Sequence, residues 1–530
     1  MKEKSDIGAN KRLATRWRVF VLALIACGIL SWLSFPLHCP GRELPDQKRT
    51  PGTFKLKTIY RHAANGPHAA QQKLDITPQL LEKGRAEYAE HLSIKQEGDD
   101  ELWTSNELYA TNNPLDFEFK LKVEPIRMTR MMYRSPEFVE SYLDFALENP
   151  DMAAKVDLDW VNDIVLAPNI SDKDTILSLA LMSSNAYVRL PHTGDWRNVT
   201  EPWHNSGGDG HGWDGDGIRG HIFVNEVEDV VVISIKGTSA QGLAGSGEDD
   251  TTGNDKVNDN LLFSCCCARV SYLWTTVCDC FVKSYTCDET CLERELRRKD
   301  RYYSAVLDVY KQVLKDYPSS TIWVTGHSLG GAMASFLGRT YGLPTVTFEA
   351  PGELLATRRL HLPMPPGLPA YLEGVWHFGH TADPIYIGTC NGASSSCSIA
   401  GYAFETSCHS GKVCTYDVVN DKGWHVNMLN HRIHTVIDNV LSAYDKVAKC
   451  KPPEPCHDCY NWNYIQGRDT STKIQTETKT SKSKTKTKTK DLPTSTLTSV
   501  TSTTDFTTPE PTASSCIGRN WFGICTRYGL

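Results

Sequence analysis

The chain has 530 residues, of which 40% are hydrophobic and 22% are charged. That length accommodates one large globular domain with appended segments. The net charge of −7 gives no support to nucleic-acid binding, so no nucleic-acid partner is expected.

The N-terminus predicts a membrane anchor. Residues 1–18 carry six basic and two acidic side chains, and residues 19–37 are almost continuously apolar. The apolar run is about long enough to cross a bilayer, and its basic flank should remain cytosolic. We therefore expect a single-pass type II signal anchor with the rest of the chain in the lumen. A cleaved signal peptide is the alternative, although its apolar region is usually about 7–15 residues.

Residues 38–116 are polar and of mixed composition, which indicates a lumenal stem or peripheral region. Apolar density rises from Phe117, so we expect the main globular domain to span 117–466. Two N-x-S/T sequons, at Asn169 and Asn198, would carry glycans in the lumen.

Alternating strands and helices predict an α/β domain with a largely parallel or mixed sheet. Predicted strands cover 229–236, 321–325, 344–348 and 374–378. Predicted helices cover 135–147, 172–188 and 302–317, and most of 423–449. Residues 203–220 are typical of turns, and Asp209, Asp214 and Asp216 within them lack the spacing of an EF-hand calcium loop.

Cysteine usage indicates an oxidising compartment. Of the 18 cysteines, Cys27 lies inside the apolar run, which leaves 17 and therefore one possible free thiol. Most of the others cluster within 265–291, 390–414 and 450–459, as expected for a disulfide framework whose connectivity stays open. Cys456 and Cys459 have the spacing of half a zinc site, but no second pair accompanies them, so no metal is expected.

The sequence Gly326-His327-Ser328-Leu329-Gly330 is the most informative motif of the chain. It is G-x-S-x-G between a predicted strand and a predicted helix, the context of a nucleophile elbow. Glycines on either side of the serine remove Cβ atoms that would collide in so tight a turn. Ser328 is therefore the expected nucleophile.

A serine nucleophile needs a base, and the base needs a carboxylate, in the chain order Ser, acid, His. Asp383 follows a predicted strand by a short loop and is the preferred acid. Asp417 and Asp421 are alternatives in a cysteine-bounded region. The preferred base is His431, and the alternatives left open are His434 and His425.

The oxyanion of the tetrahedral intermediate needs two donors. We expect the backbone N–H of Leu329 to be one, and the Gly237–Thr238 strand end to supply the other at Thr238. Residues 238–300 are the candidate lid, because they contain apolar patches at 261–263 and 272–274. A disulfide-tied structural insert explains the same segment equally well.

The C-terminal part changes in composition. Residues 467–515 are rich in Ser, Thr and Lys without apolar periodicity, which predicts a disordered tail that O-glycans could modify. Residues 516–530 form a short segment with two cysteines and no predicted role.

Three stretches of this sequence, taken as a set, resemble the class 3 lipases over roughly residues 220–440. They are Ile235–Thr238, Val324–Ala332 and Asp383–Ile385. Within that family the chain is similar to the fungal vacuolar, autophagy-related lipases that dissolve autophagic bodies. The matching features are the anchor, the stretches 212–221 and 430–434, the cysteine-rich insert and the Ser/Thr-rich tail.

The resemblance implies the α/β-hydrolase fold of the class 3 lipases and a triacylglycerol lipase or phospholipase that needs no cofactor. It would pass through the endoplasmic reticulum, the Golgi apparatus and multivesicular bodies, and would lyse autophagic bodies and intralumenal vesicles inside the vacuole. A general-base imidazole must be neutral to act, so a site in an acidic lumen has to disfavour the imidazolium. The alternatives are a secretory-pathway esterase for soluble or cell-wall esters and a catalytically silent membrane-anchored scaffold.

Overall fold

The structure of the chain is a computed structural model. It describes residues 52–63, 70–82, 86, 118–153, 155–187, 197–198, 217–238, 252–270, 276–367, 369, 372–392, 394–467, 516–519 and 525–528. The predicted anchor at 19–37, the aspartates within 203–216 and residues 468–515 of the predicted tail lie outside these residues, and of the sequon at 198–200 only Asn198 is among them. No helix among the described residues is both long enough and apolar enough to span a membrane.

The strands are, in chain order, β1 (Gly52–Ala63), β2 (Ala70–Asp75), β3 (Phe119–Leu121), β4 (Val123–Met131), β5 (Trp160–Pro168), β6 (Arg197–Asn198), β7 (Arg219–Asn225), β8 (Val230–Ile235), β9 (Phe281–Lys283), β10 (Thr286–Asp288), β11 (Thr321–His327), β12 (Thr345–Phe348), β13 (Val375–His380), β14 (Lys412–Tyr416), β15 (Asn463–Ile465), β16 (Cys516–Arg519) and β17 (Cys525–Tyr528). The helices include α1 (Pro136–Glu148), α2 (Pro150–Ala153), α3 (Lys173–Asn185), α4 (Thr252–Leu262), α5 (Glu289–Leu296), α6 (Tyr302–Asp316), α7 (Leu329–Tyr341), α8 (Leu354–Arg359), α9 (Ser396–Ile399), α10 (Val418–Lys422) and α11 (Ile433–Thr435).

One ten-stranded mixed sheet organises the domain, in the order β14-β13-β12-β11-β8-β7-β1-β2-β6 with β3 paired to β1. Strands β8, β11, β12, β13 and β14 run parallel, whereas β7, β1 and β2 continue the sheet antiparallel. Parallel strands place their carboxyl ends at one edge, where α/β proteins build their sites. The four predicted strands are β8, β11, β12 and β13, so this part of the fold prediction is confirmed.

Both faces of the sheet are buried, which explains the β-branched runs in its central strands. Val231 and Ile233 of β8 belong to one core cluster together with residues of α6 and α7. Val230 and Val232 belong to a second cluster together with residues of α3 and 433–441. Because successive side chains of a strand point to opposite faces, one strand contributes to both cores.

The sheet begins earlier in the chain than the sequence indicated. Residues 38–116 were expected to lie outside the catalytic domain, but β1 pairs with β7 through seven residues from Phe54↔Asn225 to Arg61↔Arg219. Phe54, Leu56 and Ile59 of β1 are buried in the core. The described domain therefore starts at Gly52, and a boundary at Phe117 would cut through its sheet.

Seven disulfides connect the fourteen cysteines between Cys265 and Cys459. The pairs are Cys265–Cys459, Cys266–Cys287, Cys267–Cys278, Cys280–Cys291, Cys390–Cys397, Cys408–Cys456 and Cys414–Cys450. Cys456 and Cys459 each bond a distant partner, so they do not form half of a zinc site. Residues 265–291 are tied by four of the seven bonds, in keeping with a disulfide-tied insert.

The long helix expected over 423–449 does not form. Gly423 ends α10 with a φ of 67°, and a 3₁₀ turn follows at Met428–His431. Arg432 is extended, with φ −65° and ψ 132°, before α11 and a π-helical turn at Val436–Leu441. The interruption matters because it separates His431 from the helix that carries His434.

Candidate active site

The motif around Ser328 forms a strained turn between β11 and α7. Ser328 has φ 58° and ψ −130°, a backbone conformation that non-glycine residues adopt only when the surroundings enforce it. A Cβ at Gly326 would lie 2.4 Å from the carbonyl oxygen of Gly330, and a Cβ at Gly330 would lie 2.1 Å from that of Ile235. Only glycine fits at either position, as the sequence predicted.

The three predicted polar side chains converge at this turn. The Ser328 hydroxyl donates to His431 Nε2 over 2.8 Å, and His431 Nδ1–H donates to Asp383 Oδ2 over 2.7 Å. All three residues are buried, Asp383 completely. This is the hydrogen-bond order of a Ser–His–Asp triad, in which the imidazole can take the hydroxyl proton and the carboxylate holds the tautomer.

The other candidate acids and bases have different partners. Asp417 caps α10 and accepts from Asn420, and Asp421 accepts from the Tyr444 hydroxyl. His425 is exposed on the loop before the 3₁₀ turn. His434 lies beyond the extended Arg432, and the bond to Ser328 comes from His431.

Asp383 is held as an anion on a loop that is tied to the loop of the histidine. Its Oδ1 accepts from the Ile385 N–H over 2.9 Å, and Asn427 N–H donates to the neighbouring Ala382 carbonyl over 3.2 Å. Burial alone would raise the pKa of Asp383. The charge and hydrogen bond of His431, and a hydrogen bond from Glu349, outweigh that effect and lower the pKa to about 2.

His327 and Tyr187 position the histidine, and the sequence did not single them out. His327 Nε2–H donates to the backbone carbonyl of His431 over 2.8 Å, and the Tyr187 hydroxyl donates to His327 Nδ1 over 2.8 Å. Burial first, and then the nearby His431, lower the pKa of His327 to about 3. A neutral His327 keeps this tautomer in acid and anchors the backbone that carries His431.

The segments that carry the two expected oxyanion donors adjoin the serine. A Cβ at Gly237 would come within 3.2 Å of the Ser328 Cβ, so the 237–238 strand end packs directly against the nucleophile. Leu329 is the first residue of α7, and N–H groups of a first helical turn have no partner within the helix. The Thr238 hydroxyl donates to Asp259 Oδ2 over 2.6 Å, which fixes the strand end to α4.

Helix α4 is built into the site and does not form a detached flap. Lys236 pairs with Asp255 Oδ2 over 3.4 Å, and both side chains are buried. Leu261, Leu262 and Phe263, one of the two apolar patches of the candidate lid, belong to the protein core. The other patch, 272–274, lies outside the described residues.

Comparisons with known proteins find lipases among the relatives of this chain. The family description "Lipase (class 3)" matches residues 246–341. A protein of Saccharomyces cerevisiae named "Putative lipase ATG15" is 61% identical over 494 residues, which cover 92% of this chain and 91% of that protein. Namesakes from Kluyveromyces lactis and Eremothecium gossypii are 62% identical over 485 residues and 54% identical over 532 residues, covering 89% and 94% of their own lengths.

The chain belongs to the ATG15 family of lipases. Among solved structures, the Lip2 lipase of Yarrowia lipolytica is similar at 17% identity and a TM-score of 0.23, over 44% of this chain and 76% of that one. Lipase II of Rhizopus niveus has 13% identity and a TM-score of 0.19, over 38% and 62%. Family membership and the observed sheet together confirm the predicted lipase fold of the α/β-hydrolase type.

A buried cluster of three residues outside the disulfides has metal-ligand residue types. Glu353, His377 and His409 lie within 4.8 Å of one another. Glu353 Oε1 already accepts hydrogen bonds from the Ser335 hydroxyl and from the Ser410 N–H. His377 Nε2 lies 3.2 Å and His409 Nδ1 lies 3.5 Å from the Glu353 carboxylate. We interpret the cluster as a buried polar network that joins α8 to β13.

Proposed function

We propose that the chain is a serine lipase or phospholipase that hydrolyses acyl esters of membrane lipids. Ser328 is the nucleophile, His431 the general base and Asp383 the acid that orients it. The hydrogen-bonded series Ser328–His431–Asp383, with distances of 2.8 and 2.7 Å behind a strained elbow, is the observation that carries the proposal.

The geometry supports an acyl-transfer mechanism. His431 takes the hydroxyl proton as Ser328 Oγ attacks the ester carbonyl, and then delivers it to the departing alcohol. The N–H groups of Thr238 and Leu329 stabilise the oxyanion, because they flank Ser328 and are held by α4 and α7. Water then hydrolyses the acyl-enzyme by the same proton transfers in reverse order.

We further propose where this chemistry takes place. The chain would enter the secretory pathway through residues 19–37 as a type II membrane protein and carry glycans at Asn169 and Asn198. It would pass through Golgi and multivesicular-body membranes to the vacuole and lyse autophagic bodies and intralumenal vesicles there. Seven disulfides support an oxidising compartment, and the ATG15 name of the relatives supports a role in autophagy.

The substrate class can be tested with the full chain in detergent. Phospholipid vesicles and a short-chain soluble ester are offered to wild type and Ser328→Ala, and released fatty acids and lysolipids are quantified. The proposal expects Ser328-dependent hydrolysis with a preference for vesicles. Hydrolysis of vesicles by Ser328→Ala at the wild-type rate would refute the assignment of Ser328 as the nucleophile. A preference for the soluble ester would favour an esterase of the secretory pathway.

The scaffold alternative is tested in cells. Ser328→Ala should leave autophagic bodies intact in the vacuole, although the variant is made and delivered as the wild type is. Normal lysis with the variant would show that the role of the chain does not depend on hydrolysis.

A further inference from the structure

A second buried carboxyl group lies behind the acid of the triad. Glu349 follows β12 with a φ of 46°, and its N–H donates to the carbonyl of Phe378 over 2.8 Å. Its side chain is completely buried, and Oε2 accepts from the His380 N–H over 3.4 Å. Its buried Oε1 has no hydrogen-bond donor among the described residues, which leaves the carboxyl group free to donate a proton itself, and Asp383 is the side-chain partner through which the pKa values of both groups are shifted. Two carboxyl groups therefore share one buried site with His431.

No cation neutralises Glu349 within the described part of the chain. Its one ion-pair contact there is His380, whose Nε2 lies 3.7 Å from Oε1. Both nitrogens of His380 are already engaged, because Nδ1 accepts from the Ala382 N–H over 3.2 Å and Nε2–H donates to the Asn430 carbonyl over 3.0 Å. These two hydrogen bonds require the imidazole of His380 to be neutral, and burial also lowers the pKa of His380.

The charges can be assigned from these contacts. A hydrogen bond between two carboxyl groups needs one proton, and Asp383 faces the imidazole of His431 at 2.7 Å. Asp383 is thus the anion and Glu349 the acid. Burial and the charge of Asp383 raise the pKa of Glu349 well above its usual range, in agreement with this assignment.

We propose that Glu349 is a positioning residue of the triad, which remains a neutral carboxylic acid and donates a hydrogen bond to the Asp383 carboxylate. The inference rests on the proposed function. The donated bond spreads the negative charge of Asp383, so Asp383 stays ionised in acid and holds the imidazolium less strongly. Both effects extend activity toward low pH, where a lumenal lipase of the vacuole would have to act.

Two variants test the proposal through the pH dependence of kcat/KM on a short soluble ester. Glu349→Gln is neutral and keeps an N–H donor, so it should stay within about threefold of wild type with its acid limb unchanged. Glu349→Leu loses the donor to a buried anion, so kcat/KM should fall about 10- to 100-fold and the acid limb should move up by roughly one pH unit.

The sign of the shift decides between the two charge states. If Glu349 were ionised in the wild type, both variants would remove a negative charge and would move the acid limb to lower pH, which would overturn the proposal. A tenfold loss of kcat/KM in Glu349→Gln with an unshifted pH profile would also overturn the proposal, because the N–H donor that this variant retains would then not support activity.

A matched control uses a second glutamate away from the triad. Burial raises the pKa of Glu405, which accepts from the Cys265 N–H, so Glu405→Gln should leave the profile unchanged. Thermal melting identifies any variant that fails to fold. Ser328→Ala, assayed in parallel, distinguishes failure of the proposed function from failure of the Glu349 assignment, because only the former leaves Ser328→Ala active.

Discussion

Replacing Gly330 by alanine should disable the site by displacing the Gly237–Thr238 strand end, which carries one of the two expected oxyanion donors. The added Cβ would lie 2.1 Å from the Ile235 carbonyl oxygen, 2.7 Å from the Lys236 carbonyl carbon and 2.8 Å from the Gly237 nitrogen. All three are main-chain atoms, so relief requires moving α7 and the 235–238 segment apart by roughly an ångström to restore van der Waals contact. Ser328 and Leu329 lie on one side of that gap, and Thr238 lies on the other.

A displacement of that size is catalytically costly. A misplacement of about 1 Å can reduce a rate about 100-fold, and loss of one oxyanion donor costs about 100- to 1,000-fold in kcat. We therefore expect Gly330→Ala to lower kcat by about 100-fold or more, equivalent to about 3 kcal/mol of transition-state stabilisation. The measurement is kcat for a soluble ester, with the fraction of folded protein determined by thermal melting.

Two glycine-to-alanine controls distinguish this effect from general instability. Gly253, in α4, has no atom within 4 Å of an added Cβ, so Gly253→Ala should leave both kcat and stability close to wild type. Gly338, in α7, would meet the Thr345 hydroxyl at 1.9 Å, so Gly338→Ala should lower stability and spare the kcat of the folded fraction. A kcat of folded Gly330→Ala within about threefold of wild type would contradict this prediction. So would a loss of kcat in folded Gly338→Ala as large as the loss in Gly330→Ala.

Three further predictions concern other parts of the site and its scaffold. Asp259→Ala removes the acceptor of the Thr238 hydroxyl at 2.6 Å, so kcat should fall at least tenfold with little change in melting temperature; an unchanged kcat would separate this contact from catalysis. Replacing Cys265 and Cys459 by serine opens a bond with a sequence separation of 194, so denaturant titration should show a loss of about 2–5 kcal/mol, whereas unaltered stability would contradict the pairing. Asp383 has a pKa lowered to about 2, so the carboxylate is ionised above its ordinary value near 4 and is lost only as the pH falls toward 2. The acid limb of kcat/KM above pH 4 should therefore follow a single ionisation, that of the base, and a second ionisation there would contradict the assignment; a profile with no activity below about pH 6 would argue against action in an acidic vacuole.

The catalytic motif was predictable because its constraints are local. Gly326 and Gly330 are required by atoms within a few residues or by the adjacent strand, and the continuous apolar runs in β8 and β11 follow from the burial of both sheet faces. Chain order alone placed Asp383 after Ser328 and a histidine after both. The grounds in the sequence for choosing His431 over His434 were weaker, because both were expected on one helix. In the structure the extended Arg432 interrupts that helix and separates the two histidines.

Other features depend on residues that are far apart in the chain. Strand β1 looked like part of a polar stem, because its partner β7 lies more than a hundred residues later and only pairing with it buries Phe54 and Leu56. Likewise, no spacing rule pairs Cys265 with Cys459. The expected helix over 423–449 failed because contacts with the Ala382 loop decide the backbone there.

The sequence by itself determined the nucleophile, the class of fold and the order of the triad, because these follow from steric rules and periodicities that act within a few residues. Only the tertiary structure decided which charges meet at the site. Glu349 has an ordinary sequence context, and it lies against Asp383 because neighbouring parallel strands bring their carboxyl ends together. The protonation state of a carboxyl group depends on the burial and the charges around it, and folding sets both of them.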